Sequence, residues 1–289
     1  MIFASDLKLP EGPVVLQDGS WLVVEGARGS VTYISADGSS KRIIARTGEP
    51  NGLAVDRNSV IWVAETRPPA LIRCELGGKF DAVLTSCGDE AFLYPNDLCF
   101  GPDGALYLTD SGILGDDFAP GGVVRSDYAS LRLNGRLYKI NTHTLAIEKV
   151  DDGLQFPNGI AFGPDGDLYV NETLTGMIGR YGWKDGKITT GKQDFGNVIN
   201  PQSQFPGIKG PDGMAFDQDG KLYVTVYGQG DVTVLDKQGA VTERIATIGK
   251  LPTNVAFGLP GQKKIYVTEY ERGVVEVFKV ASDGLPLWT

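Results

Sequence analysis

YPNDLCFGPDGALYLTD, residues 94–110, and FPNGIAFGPDGDLYVNE, residues 156–172, are two copies of one phrase, and that repetition decides the fold. Four more copies complete a set of six: LPEGPVVLQDGSWLVVE from Leu9, EPNGLAVDRNSVIWVAE from Glu49, GPDGMAFDQDGKLYVTV from Gly210 and LPTNVAFGLPGQKKIYVTE from Leu251. Each joins two short apolar or alternating runs through a turn, with Asp-Gly at Asp103-Gly104, Asp165-Gly166 and Asp219-Gly220. That is the signature of a β-hairpin. A second pair of runs follows each copy, as in GRLYKINTHTLAIEKV from Gly135. Six units of about four strands predict an all-β chain, one six-bladed β-propeller of four-stranded blades over residues 1–289. The last unit, GVVEVFKVASDGLPLW from Gly273, runs out early. Residues 1–8 are expected to supply its missing strand, which closes the ring and leaves no long sheet edge exposed.

Composition narrows the function classes. An apolar share of 42% supports a real core, and 39 glycines with 16 prolines demand tight turns rather than long helices. A net charge of -9 repels nucleic acid phosphates and anionic membrane surfaces, so neither is an expected partner. The first residues, MIFASDLKLPEG, lack the pattern of a signal peptide, and no apolar run approaches a membrane span. Cys74, Cys87 and Cys99 are spaced unlike a disulfide framework or a zinc site. They fit packed thiols in a reducing compartment, so a cytoplasmic chain is expected. His143 is the only histidine, falls in a turn between strands, and leaves no partner for a histidine-rich zinc site or a Ser-His-Asp triad.

The six corner prolines, Pro10, Pro50, Pro95, Pro157, Pro211 and Pro252, are 40, 45, 62, 54 and 41 residues apart. The two long intervals locate insertions between Asp110 and Gly135 and around Gly196–Lys209. If the first strand of each blade descends from its proline corner, both insertions emerge on the face that bears the corners. Long loops gathered on one face usually carry function, although decorative flaps would have the same placement.

The residue after each corner proline is Glu11, Asn51, Asn96, Asn158, Asp212 or Thr253. All carry side-chain oxygen, and all begin the innermost strands, so they converge near one mouth of the axial channel. Carboxylates and amides crowded there repel one another and lose hydration unless a cation joins them. Oxygen ligands favour a hard divalent cation, Ca²⁺ first, with Mg²⁺, Mn²⁺ or Zn²⁺ as further candidates. Asn and Asp also favour turns and strand starts, and for Asn51 and Thr253 both readings stay open. Glutamate is no turn former, which makes Glu11 the clearest ligand.

The EGP corner at Glu11, PNDLCF at Asn96, PNGIAF at Asn158 and PDGMAFD at Asp212, with GALYLTD in the third repeat, resemble the regucalcin/gluconolactonase family of six-bladed sugar lactonases. The likeness runs in order over essentially the whole chain. It implies Glu11, Asn158 and Asp212 as core metal ligands, Asn96 as a further ligand or a substrate contact through water, and Asp212 as proton acceptor. The family's regucalcin has an arginine against substrate two residues before the position of Asn96. Tyr94 stands there in this chain, so the metal site is carried over and that sugar contact is not.

The expected reaction is metal-dependent opening of a small-molecule aldonolactone by water. Arg67, Asp110, Arg125 and Tyr128 are candidate substrate contacts, together with Asn96. Asp110 and Glu172, each ending a second strand, stand in reserve as bases. Phosphotriester hydrolysis on the same ligands is the alternative enzyme, and a propeller binding module with a structural ion is the alternative outside catalysis. A monomer or small homo-oligomer is expected.

Overall fold

A computed structural model describes all 289 residues. Six four-stranded antiparallel sheets form the ring. Their innermost strands are Pro10–Val15, Pro50–Val55, Pro95–Phe100, Pro157–Phe162, Gly210–Phe216 and Pro252–Phe257. Every repeat of the phrase has become the inner hairpin of one blade, numbered here I to VI in chain order.

The burial pattern follows from blade stacking. A second strand has neighbouring blades against both faces, so Trp21–Glu25 and Leu168–Glu172 are buried at every residue. An outermost strand such as Lys41–Arg46 meets water and is largely exposed. The core is correspondingly divided into six clusters, each lying between two adjacent blades. Leu22, Val24, Leu53 and Val63 join blades I and II, and Trp21, Val23, Tyr266 and Val275 join blade I to blade VI.

Ring closure uses the N-terminal segment as expected. Ile2–Ala4 pairs with Val274–Lys279 as the fourth strand of blade VI, and Leu7 N–H donates to Gly273 O at 2.9 Å. The segment after Lys279 does not form a blade strand. It crosses the face opposite the corners, where Leu285 N–H donates to Phe216 O at 2.9 Å and Arg57 reaches Thr289 O at 2.9 Å.

The two insertions meet over the corner face. Phe118, in the short helix Gly115–Phe118 of the first, packs with Phe156 and with Ile208 of the second. Tyr128 Oη donates to Gly207 O at 3.2 Å across the same seam. No helix is long and apolar enough to cross a membrane.

Candidate functional site

The corner residues begin strands, so their backbone is set by the sheet and by the adjoining blade. Side chains of each preceding blade hold their carbonyls. Asn51 Nδ2 donates to Asn96 O at 3.1 Å, Thr109 Oγ1 to Asn158 O at 2.7 Å, Asn171 Nδ2 to Asp212 O, and Thr225 Oγ1 to Thr253 O at 2.7 Å. Thr253 Oγ1 in turn donates to Pro10 O at 2.8 Å, joining blade VI to blade I. These cross-blade bonds give both open positions a structural partner. Thr253 is buried, and Asn51 Nδ2 also reaches Asn96 Oδ1 at 2.9 Å.

Glu11, Asn96, Asn158 and Asp212 are all buried at the inner-strand starts. Asn96 Nδ2 donates to Ser111 Oγ at 3.0 Å and Asn158 Nδ2 to Thr173 Oγ1 at 3.4 Å. Each amide is thereby oriented through its nitrogen. Asn158 Oδ1 is buried without a hydrogen-bond partner, an arrangement that ordinarily costs about 1–3 kcal/mol.

Asp97 and Asn254 complete the cluster and were not identified from the repeats. The position after each ring residue is Gly12, Gly52, Gly159 or Gly213 in four blades and Asp97 or Asn254 in the other two. A Cβ on Gly52 would lie 2.8 Å from Asp97 Oδ1, and one on Gly213 would collide with the Asn254 amide. The glycines therefore make room for these two side chains, which meet across the axis, Asn254 Nδ2 to Asp97 Oδ2 at 3.4 Å. The signal was legible as Asp and Asn interrupting a column of Gly.

Glu11, Asp97 and Asp212 make no salt bridge, although Glu25, Glu172 and Asp231 do. Burial, then repulsion from Asp212 and Asp97, pushes the Glu11 carboxyl well above its ordinary range. Burial and Asp97 raise Asp212 likewise, against hydrogen bonds from Asn158 and Glu11. Burial lifts Asp97 to about 7 despite bonds from Leu98 N–H and Asn254. Each carboxyl thus holds its proton more tightly in the folded chain than in the unfolded one. Cation-free protein is expected to be most stable below the ordinary carboxylate pKa and to lose stability as pH rises through about 7. Urea midpoints in chelator should fall between about pH 5 and about pH 8, and saturating Ca²⁺ should flatten the profile. A flat or rising chelated profile would contradict this electrostatic picture.

No three His, Cys, Asp or Glu side chains are grouped to hold a metal by themselves, so amide oxygens would have to complete any ligand set. The residues fit a hard divalent cation on that basis: carboxylates without a cationic partner and a buried amide oxygen without a donor.

The reserve bases are engaged within their own blades. Asp110 is fully buried, and its carboxylate accepts Leu93 N–H at 2.8 Å, Tyr94 N–H at 3.0 Å and Gly112 N–H at 3.0 Å. It is closed off from bulk water. Glu172 accepts Gln155 N–H at 2.6 Å and pairs with Lys192. Glu25, Glu65 and Glu269 likewise bond the N–H groups of Lys8, Glu49 and Leu251. A second-strand terminal acid is therefore a latch on the loop entering its own blade. Arg67 pairs with Glu49 at 3.3 Å and with Asp116 of the first insertion. Arg125 is engaged by Asp127 at 2.6 Å, and Tyr128 lies in the seam between the insertions. The structure uses these three within the corner-face loops.

Fold and site define a six-bladed propeller with a buried, oxygen-rich acidic centre at one mouth of its axis. The SMP-30/Gluconolactonase/LRE-like region family matches residues 9–271, and the chain belongs to that family. It is similar to diisopropyl-fluorophosphatase of Loligo vulgaris, 28% identical over 96% of this chain and 91% of that protein. It is also similar to gluconolactonase of Zymomonas mobilis, 25% identical over 90% of this chain and 76% of that one. Among solved structures, a gluconolactonase from Xanthomonas campestris superposes with a TM-score of 0.79 at 23% identity, covering 97% of this chain and 89% of that chain.

Proposed function

We propose that the protein is a metal-dependent lactone hydrolase whose cation is held by Glu11, Asn96, Asn158 and Asp212. The observation that carries this reading is the unpartnered Asn158 Oδ1 beside carboxylates that have no cationic partner. The family membership and the gluconolactonase relative support lactone as the substrate class. A bound divalent cation, Ca²⁺ first, supplies Lewis acidity to the ester carbonyl. Asp212 accepts a proton from the attacking water, whose oxygen bonds to the carbonyl carbon. As the ring C–O bond breaks, that proton passes to the departing alkoxide and a hydroxy acid is released. Ser111 and Thr173 keep Asn96 and Asn158 aligned, while Phe118 and Ile208 pack the two insertions together on the corner face. The free thiols Cys74, Cys87 and Cys99 accord with a cytoplasmic setting.

Similarity to diisopropyl-fluorophosphatase favours organophosphate hydrolysis at the same centre as a second reading. A pH-indicator screen of lactones and phosphotriesters, with several metals added back after chelation, separates the two. Chelation is expected to bring turnover to background. Glu11→Gln should weaken cation affinity, with excess cation restoring part of the activity, because Glu11 holds the ion without handling a proton. Full turnover after exhaustive chelation would refute the metal-dependent mechanism. Ligand binding that is indifferent to metal, with no turnover of either class, would instead identify a binding module.

A further inference from the structure

Beyond Lys279 the chain leaves blade VI and lies on the face opposite the corners. The first part of this segment is held at several points. Asp283 O accepts Gln218 N–H at 2.9 Å and Asp283 Oδ1 accepts Lys263 N–H at 2.9 Å, which ties it to the inner-hairpin turns of blades V and VI. Leu285 N–H donates to Phe216 O at 2.9 Å, and the Leu285 side chain packs on the cluster that contains Tyr169, Phe216 and Leu222. The last part has a single attachment. Arg57, exposed in the inner-hairpin turn of blade II, donates to Thr289 O from Nε at 3.1 Å and from Nη2 at 2.9 Å. No other hydrogen bond engages residues 286–289, and Leu287 and Trp288 are 72% and 48% exposed.

Blades II and V stand opposite each other in a ring of six. Leu285 and Thr289 are four peptide steps apart, a reach of at most about 14 Å, so residues 285–289 follow a chord of the ring and not its rim. They lie over the far mouth of the axial channel. The channel extends toward that mouth. Cys99, Ala161, Ala215 and Ala256 each stand three positions beyond Asn96, Asn158, Asp212 and Thr253 on their innermost strands, and all four are half-buried. The residues just before them, Leu98, Ile160, Met214 and Val255, are buried. An innermost strand has a neighbouring blade against each face and the second strand along its outer edge, so the surface left to these four residues faces the axis. Along the axis the order is therefore the acidic centre, the Asp97–Asn254 contact, a ring of small side chains and the segment 285–289.

We propose that residues 285–289 are a strap, hinged at Leu285 and latched by Arg57, that stops the far mouth of the axial channel and leaves the corner face as the open route to the acidic centre. The latch is the weak point. Loss of the Arg57–Thr289 contact frees residues 286–289, while the anchors at Asp283 and Leu285 and every blade strand stay in place. Opening is then a local event of the kind that exposed, sparsely bonded segments undergo without unfolding of the domain. The strap closes the channel whatever the centre binds or turns over.

The three thiols of the chain test this directly. Cys99 reports on the channel, Cys74 is fully buried between blades I and II, and Cys87 is half-buried in the segment that enters blade III. The full chain is treated with methyl methanethiosulfonate, and the rate at each cysteine is followed by peptide mass spectrometry. Arg57→Ala is expected to raise the Cys99 rate by about tenfold, the loss of a charged donor's hydrogen bonds, with Cys74 unreactive and Cys87 unchanged. Arg57→Lys still donates to Thr289 O and should stay within about threefold of the parent. Arg57→Ala combined with Leu285→Ala removes latch and hinge together and should raise the Cys99 rate further. Ala161→Cys gives blade IV the side chain that blade III carries at this position, and it should respond in the same way from another side of the axis. An unchanged Cys99 rate in the double variant overturns the proposal. So does a parent Cys99 rate equal to that of Cys87, which is the behaviour of an open mouth. Cys74 and Cys99 accelerating together would make the segment a brace of the whole fold, and that too overturns it.

Discussion

Asp212→Asn, assayed at saturating cation, is expected to lower turnover by at least about a hundredfold while the fold and much of the cation occupancy persist. The amide keeps the size and one coordinating oxygen of the carboxylate, so a cation can still bind, more weakly for lack of charge. It cannot accept a proton from water. Loss of a general base typically costs about 10² to 10⁴ in rate. No neighbouring strand-end acid can substitute, since the oxygens of Asp110 and Glu172 are occupied by backbone N–H groups or by Lys192. Asp97 is the other buried acid nearby, and it is already bonded to Leu98 N–H and Asn254. The check is kcat with metal content measured on the same sample. Near-normal turnover at full occupancy would reduce Asp212 to a ligand and make Asp97→Asn the next test.

Asp110→Ala should have the opposite signature. Removing its carboxylate strands the N–H groups of Leu93, Tyr94 and Gly112 in a site that water does not reach. Charge-assisted bonds to backbone N–H are among the stronger ones, so the unfolding free energy is expected to fall by about 3 kcal/mol. The folded fraction should keep kcat within about threefold, because Asp110 touches no reacting atom. Urea unfolding together with activity at low temperature tests both parts. Unchanged stability with abolished turnover would return Asp110 to the list of catalytic bases.

Those two aspartates show how far the repeat could be read. Asp110 and Asp212 occupy recurrent polar positions of the same phrase, and each is buried. Alignment of the six copies places Asp212 at an inner-strand start and Asp110 at a second-strand end. Position in a blade translates directly into distance from the axis, which is why Glu11, Asn51, Asn96, Asn158, Asp212 and Thr253 were identifiable as one ring, whereas the choice of four among them as cation ligands came from the family resemblance. Asp97 and Asn254 were equally accessible in principle, since they interrupt a glycine column, but the reason for that column is the approach of the next blade, which the sequence does not display.

Blade number, the N-terminal closing strand and the placement of both insertions on the corner face followed from the chain alone, because strand periodicity and turn residues are local and the ring repeats them. Local pattern does not say where a carboxylate's oxygens point. Asp110, Glu172 and Glu269 turn toward N–H groups 16 to 18 residues back in the chain, whereas Glu11 and Asp212 are enclosed by side chains brought from other blades. Their enclosure depends on closure of the ring, since only a closed ring brings residues from the first and fifth blades to one axis.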